Sequence, residues 1–159
     1  MAYTTAHPIR FTLDKALDYI CNPDKTEYCQ LISAINCRQK TAEKQFDYTR
    51  NLMNPDVKLL AFHAVQSFVP GEVTPEQAHE IGLETMKKWL NDEYEFVIAT
   101  HVDKNHIHNH IIINSVNSKN GKSFSREHDR KLVPAWLEMK RVSDEITSQR
   151  GLSVITNPK

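Results

Sequence analysis

Four of the chain's eight histidines fall within ten residues, in the run His101-Val-Asp103-Lys-Asn-His106-Ile-His108-Asn-His110. In an extended segment alternate residues share a face, so His108, His110, Ile112 and Asn114 point the same way. The flanking stretches, Glu95 to Thr100 and Ile111 to Val116, are apolar and β-branched enough to predict two buried strands. With Val102 to Asn105 as their connection, His101 stands at the end of the neighbouring strand and brings a third ring. Three neutral imidazoles on a rigid sheet can bind a divalent metal and leave coordination positions open for a substrate. Nitrogen donors favour Mn²⁺, Co²⁺, Ni²⁺ or Zn²⁺ over Mg²⁺. A purely structural zinc site is usually closed by four ligands, often cysteine. Cys21, Cys29 and Cys37 lie far away in sequence and form no CxxC pair. An isolated histidine such as His63, His79 or His128 reads as an ordinary packing residue.

The order His101, Asp103, His108-x-His110, Asn114 resembles the third motif of the conjugative relaxases, which belong to the HUH superfamily of single-strand endonucleases, and is most like the mobilisation relaxases of the MOBP type. Those enzymes carry a nucleophilic tyrosine in an early helix, and Ala16-Leu17-Asp18-Tyr19-Ile20 fits that segment. Phe62-His-Ala-Val-Gln-Ser-Phe-Val-Pro-Gly-Glu72 resembles the family's middle motif, and Gly151-Leu-Ser-Val-Ile155 the end of its nuclease domain. His106 departs from the pattern, standing where several relatives have asparagine.

The resemblance implies a metal on His101, His108 and His110, with Mn²⁺ or Mg²⁺ serving catalysis. It implies Tyr19 as the nucleophile, forming a 5′-phosphotyrosine on single-stranded DNA. Asp103 either orients a histidine or helps remove the tyrosine proton, and a turn-forming aspartate is the plainer alternative. His63, His106 and Asn114 are candidates for supporting the ligands from behind. Tyr28, in the irregular stretch after Pro23, and Tyr48, within a helix, are more simply packing residues. The implied substrate is origin-of-transfer DNA with an adjacent hairpin, and the implied partners are accessory relaxosome proteins and a type IV coupling protein. The covalently bound protein would travel with the DNA into the recipient. Residues 1–159 are expected to form one nuclease domain, the N-terminal part of a longer protein. Three other readings stay open at this point: a rolling-circle replication initiator, a metallo-hydrolase using activated water, and a metal-stabilised binding module.

Composition agrees with one globular domain: 159 residues, 40% of them hydrophobic, enough to bury a core. No apolar run approaches membrane-spanning length and no signal peptide is visible, which predicts a cytoplasmic protein. An odd cysteine count suits a reducing compartment. Twenty basic and twenty acidic residues balance, which weighs against nucleic-acid binding by bulk charge. Locally, Lys119, Lys122, Arg126, Arg130, Lys131, Lys140 and Arg141 bias the stretch after the histidines towards positive charge, while Glu72 to Glu95 is acidic. Lys122, Phe124 and Arg126 are therefore candidates to hold an unpaired strand by stacking and phosphate contacts.

These side chains need a scaffold. Thr12 can cap a first helix with Leu13, Ala16, Leu17 and Ile20 as its buried stripe and Tyr19 at the flank, stopped by Pro23. A second helix is expected from about Thr41 to Asn54. Leu59 to Val69 reads as a strand with His63, Val65 and Ser67 on one face. Thr74-Pro75-Glu76-Gln77 is a capping box with proline at the first helical position, opening a helix to about Asn91. Asn120-Gly121 predicts a tight turn before a short strand around Ser123. Pro134 opens a last helix, with Leu132, Ala135, Met139, Val142 and Ile146 at core spacing, ended by Gly151. The inventory is α+β: a central antiparallel sheet with helices packed on it.

Overall fold

The computed structural model describes residues 3–27, 30–103, 105–124 and 133–152. Tyr28, Cys29, Arg126, His128, Arg130, Lys131, Leu132 and the segment 153–155 lie outside the described residues. In chain order the elements are β1 (Tyr3–Ile9), α1 (Leu13–Ile20), β2 (Ile32–Ile35), α2 (Ala42–Met53), β3 (Ala61–Ser67), α3 (Pro75–Leu90), β4 (Phe96–His101), β5 (His108–Asn114) and α4 (Val133–Gln149). The strands form one sheet in the order β1-β3-β5-β4-β2, every neighbouring pair antiparallel. The class is α+β, as expected.

Strand alternation divides the core into two layers. On one face Ala61, Val97, Ala99 and Ile112 pack with Leu13, Leu17 and Ile20 of α1 and Ala42 and Phe46 of α2. On the other, Phe62, Ala64, Phe96, Ile98, Ile111 and Ile113 pack with Met86 and Leu90 of α3 and Met139 of α4. Since β5 is central, its residues alternate between the two interiors and none of Ile111, Ile112 and Ile113 is exposed.

The second face also carries a polar chain across four strands and two helices. Ser33 Oγ lies 2.7 Å from His79 Nε2, and His79 Nδ1 2.8 Å from Thr100 Oγ1. Thr100 donates to Asn109 Oδ1 at 2.6 Å; Asn109 donates to Gln66 Oε1 at 3.0 Å; Gln66 donates to Ser143 Oγ at 2.8 Å. Every link is satisfied by the next strand or helix, so the chain fixes strand register as well as burying polar groups at no large cost.

Local signals account for most boundaries. The Thr74 hydroxyl accepts from Gln77 N–H at 3.1 Å while the Gln77 side chain accepts from Thr74 N–H at 3.0 Å, the expected capping box. Gly121 takes φ 74° in the turn that brings Val116 opposite Ser123, and Gly151 takes φ 71° after α4. Thr12 departs from expectation. It sits in the left-handed region at φ 53° and makes no side-chain cap bond, so α1 is held by its buried stripe rather than by a cap. β1 and β2, which periodicity did not mark, are the two edges; Pro8 is tolerated in β1 because an edge strand has one unpaired side. Among the described residues no helix is long and apolar enough to cross a membrane.

Candidate active site

The histidine hairpin forms as the spacing requires. His101 and His108 are directly opposite in the β4–β5 pairing, and His110 follows on the same face, the face covered by α1. The His101 and His110 rings stack at 4.2 Å between centroids, and His108 lies 6.1 Å from His110. His106 is exposed, on the connection, with its ring edge-on to His108 at 4.2 Å.

Helix α1 delivers Tyr19 to this cluster. Leu13, Leu17 and Ile20 are buried, which turns Tyr19 to the flank, 53% exposed. Its ring stands edge-on to His101 at 5.9 Å and to His110 at 6.2 Å. The placement is pinned by His101, whose Nε2–H donates to the carbonyl of Ile20 at 2.8 Å. A carbonyl can only accept, so that bond requires a proton on His101 Nε2.

Two neighbours were not visible in the sequence. The first is His7 on β1, opposite His63 in register. Its Nε2 lies 3.1 Å from His63 Nδ1, and His63 Nε2 lies 3.1 Å from His110 Nδ1, so three imidazoles run in a row from the sheet edge to the cluster. Burial, with the neighbouring rings adding repulsion, pushes His63 down to about 4 and His110 to about 2. Both are neutral near pH 7, the form that ligates metal. The second is Lys25, whose ammonium lies 5.5 Å from the Tyr19 ring centroid and donates to Asp103 Oδ2 at 2.8 Å. That bond holds the Asp103 carboxyl below its ordinary range. Asp103 thus meets Lys25 directly.

As the rings stand, no three His, Cys, Asp or Glu side chains among the described residues are aimed at one point. The donor set nevertheless fits a transition ion. The fit lies in the chemistry of the donors, because neutral imidazole nitrogens suit Mn²⁺, Co²⁺, Ni²⁺ or Zn²⁺.

Other sequence candidates go elsewhere. Asn114 is on the same face but at the far end of β5, where it donates to the Phe46 carbonyl at 3.2 Å and to Glu95 Oε1 at 3.0 Å and receives Arg50 at 3.4 Å. It ties α2 to the sheet and does not reach the rings. Phe124 corrects the expectation of a stacking platform: it packs on the opposite face, stacked on Tyr94 at 4.6 Å and Trp89 at 5.5 Å. Lys122 is exposed in the turn beyond Asn117, also past the far end of β5. Arg126 lies outside the described residues. Of the downstream basic bias, Lys140 pairs with Asp144, and Arg141 with Glu138 and Glu145.

Known proteins resemble this chain in sequence and in fold. Residues 19–152 match the family described as Relaxase: MobA/VirD2-like, nuclease domain. The chain is 35% identical over 181 aligned positions to the group II intron-interrupted relaxase LtrB of Lactococcus lactis subsp. cremoris, an alignment covering 90% of this chain and 31% of that protein. It is 41% identical over 123 positions to the protein Rlx of Staphylococcus aureus, covering 77% of this chain and 36% of the relative. The chain therefore spans about a third of the length of these relatives. A solved structure described as the molecular basis of vancomycin resistance transfer in Staphylococcus aureus superposes with a TM-score of 0.61 over 97% of this chain and 96% of the other, at 12% identity. That likeness shows the shared fold. The family match covers most of the chain, including the tyrosine and all four clustered histidines, and on it the chain belongs to the MobA/VirD2-like relaxase nuclease family.

Proposed function

We propose that this chain is the nuclease domain of a conjugative relaxase, nicking one strand at the origin of transfer of a plasmid or integrative element through a tyrosine intermediate. The observation that carries the reading is the exposed Tyr19 ring held edge-on to both His101 and His110. A phosphodiester resists attack because its oxygens are negative, so a nucleophile needs positive charge beside the phosphate.

In this reading the Tyr19 oxygen forms a bond to phosphorus as the bond from phosphorus to the 3′ oxygen breaks. The proton given up by the phenol is balanced by the one taken up at the leaving 3′ oxygen, which becomes a free hydroxyl. The new phosphotyrosine retains the energy of the phosphodiester, so the strand can be rejoined after transfer. His101, His108 and His110 would hold a divalent ion, Mn²⁺ or Mg²⁺, which would supply positive charge beside the phosphate. His63, backed by His7, orients His110. Lys25 adds a second positive charge beside the phenol, and Asp103 holds it there. The substrate is single-stranded origin DNA with an adjacent hairpin. Accessory relaxosome proteins and a type IV coupling protein are the partners, the reaction is cytoplasmic, and the adduct travels to the recipient.

The test is a denaturing gel with a labelled single strand from the origin region and Mn²⁺. The wild-type chain should carry label into the protein band, Tyr19→Phe should not, and a relaxed blunt duplex should be a poor substrate. Cleavage of duplex without any adduct would point to an ordinary metallonuclease and overturn the proposal.

A further inference from the structure

The corner between β1 and α1 has no evident structural reason for its side chains. Arg10, Phe11 and Thr12 make the turn, with Thr12 in the left-handed region. Phe11 is left 79% exposed, more than any other large hydrophobic side chain among the described residues. Single exposed hydrophobics are common and need no explanation by themselves. This one borders a groove of about 410 Å³ lined also by His7, Pro8, Arg10, Ala16 and His63.

Two of the groove's lining residues, Ala16 and His63, neighbour the candidate site. Ala16 and Tyr19 are three residues apart on α1 and so share a face of the helix. His63 is shared outright: it lines the groove and lies 3.1 Å from His110 Nδ1. Arg10, which meets no acidic side chain in the ion pairs found among the described residues, lends the groove positive charge. An aromatic face in water, a guanidinium and a cavity beside a nucleophile together match one chemistry, an unpaired nucleotide. The base stacks on the ring, and the cation meets the backbone. Most of these groove residues precede the segment that the family match covers, 19–152.

We propose that this groove is the binding subsite for an unpaired nucleotide next to the scissile phosphate, with its base stacked on Phe11 and its phosphate met by Arg10. The inference rests on the reading of the chain as a nuclease of single-stranded DNA. It replaces Phe124, which packs away on the other face of the sheet, with an aromatic side chain on the face that carries the chemistry. Because base stacking on an aromatic ring tolerates any base, the subsite contributes grip and positioning, and sequence selection comes from elsewhere.

The experiment uses the chain carrying Tyr19→Phe, which cannot turn over, and a fluorescein-labelled twelve-nucleotide dT strand as the probe. Phe11→Ala should weaken binding by about tenfold, within the range that one stacked base contributes. Phe11→Trp and Phe11→Tyr should restore it. Arg10→Gln should lower the slope of log affinity against log salt by about 0.7, as expected for one phosphate contact on a single strand. Tyr48→Ala, which removes the exposed ring on α2, should change neither quantity and serves as the control. Thermal melts should match throughout, since Phe11 is exposed. Equal binding by Phe11→Ala and its parent, or loss that neither Trp nor Tyr restores, overturns the subsite while leaving the nicking reading intact. If the parent binds no single strand and the wild-type chain forms no adduct on origin DNA, the underlying reading itself has failed.

Discussion

Lys25 and Asp103 form an ion pair at 2.8 Å that joins the loop after α1 to the connection after β4. The loop is fixed independently by the Val102 N–H, which donates to the Lys25 carbonyl at 2.7 Å. The lysine is thereby delivered to the Tyr19 ring by its backbone as well as by its charge. Both side chains are partly solvated, so the pair itself adds little to stability. Its effect should be read in rate. Lys25→Gln is expected to slow adduct formation by about tenfold, the scale of one lost charge-assisted contact, and Lys25→Arg to recover part of it. If Asp103 acts through Lys25, Asp103→Asn added to Lys25→Gln should cost almost nothing more. An additive double variant would assign Asp103 a separate task, such as accepting the phenolic proton.

Metal affinity should follow the geometry of the rings. Alanine at His101, His108 or His110 is expected to abolish Mn²⁺ or Co²⁺ binding measured by calorimetry on the Tyr19→Phe chain. His63→Gln should weaken it about 10- to 100-fold, the usual effect of removing a group that orients a ligand. His106→Ala should be mild, because that ring lies on the connection. Equal loss at His106 and His110 would move His106 into the ligand set.

Gly82 marks a close approach of α3 to the sheet. A Cβ added there would lie 2.5 Å from Asn109 Nδ2 and 2.5 Å from Ile98 Cδ1. Alanine normally favours a helix over glycine by about 1 kcal/mol. Here overpacking, at about 1–3 kcal/mol, should exceed that gain, and Gly82→Ala should lower the urea midpoint. A raised midpoint would mean that Asn109 can swing aside, in which case its bond to the Ala78 carbonyl at 2.6 Å is weaker than its length suggests.

Alkaline pH should destabilise the fold. Burial pushes the Cys37 thiol from 9.0 and the Tyr94 phenol from 10.0, each up to about 12. Both are acids whose folded values are raised, so the unfolded chain releases its proton first. Their contribution is complete below pH 9 and declines as pH rises from about 9 towards about 12. Denaturation curves at pH 8 and pH 10.5 should show the loss, and Cys37→Ala should reduce the difference between them. An identical difference in the variant would remove Cys37 from the account.

The part of this molecule legible in its sequence is the part set by short-range periodicity. Period-two alternation put His108 and His110 on one face, and the Thr74–Gln77 box located α3, because both signals are complete within a few residues. What escaped depends on partners distant in the chain. His7 gains meaning only from the β1–β3 register, which a proline-containing edge strand does not advertise. Lys25 meets Asp103 across 78 residues. Phe124 looked like a stacking residue because it follows the histidine strand among lysines, yet the turn at Gly121 folds it onto the opposite face against Tyr94. Asn114 obeyed alternation and still lies away from the site, since a shared face says nothing about position along the strand.

The central strand carries its two tasks on alternate residues, imidazoles towards α1 and Asn109 towards α3, and this limits how such a chain can diversify. A substitution in β5 changes one side chain. A single-residue insertion or deletion within it would send Asn109 to the reaction centre and a histidine into the buried polar chain, removing activity and fold in one event. Length variation among descendants of this sequence should therefore collect in the connections 102–107 and 117–123, where the strand's parity is untouched. A library of random single-codon deletions, sorted first for soluble expression and then for adduct formation, would show β5 as a gap in both sorts.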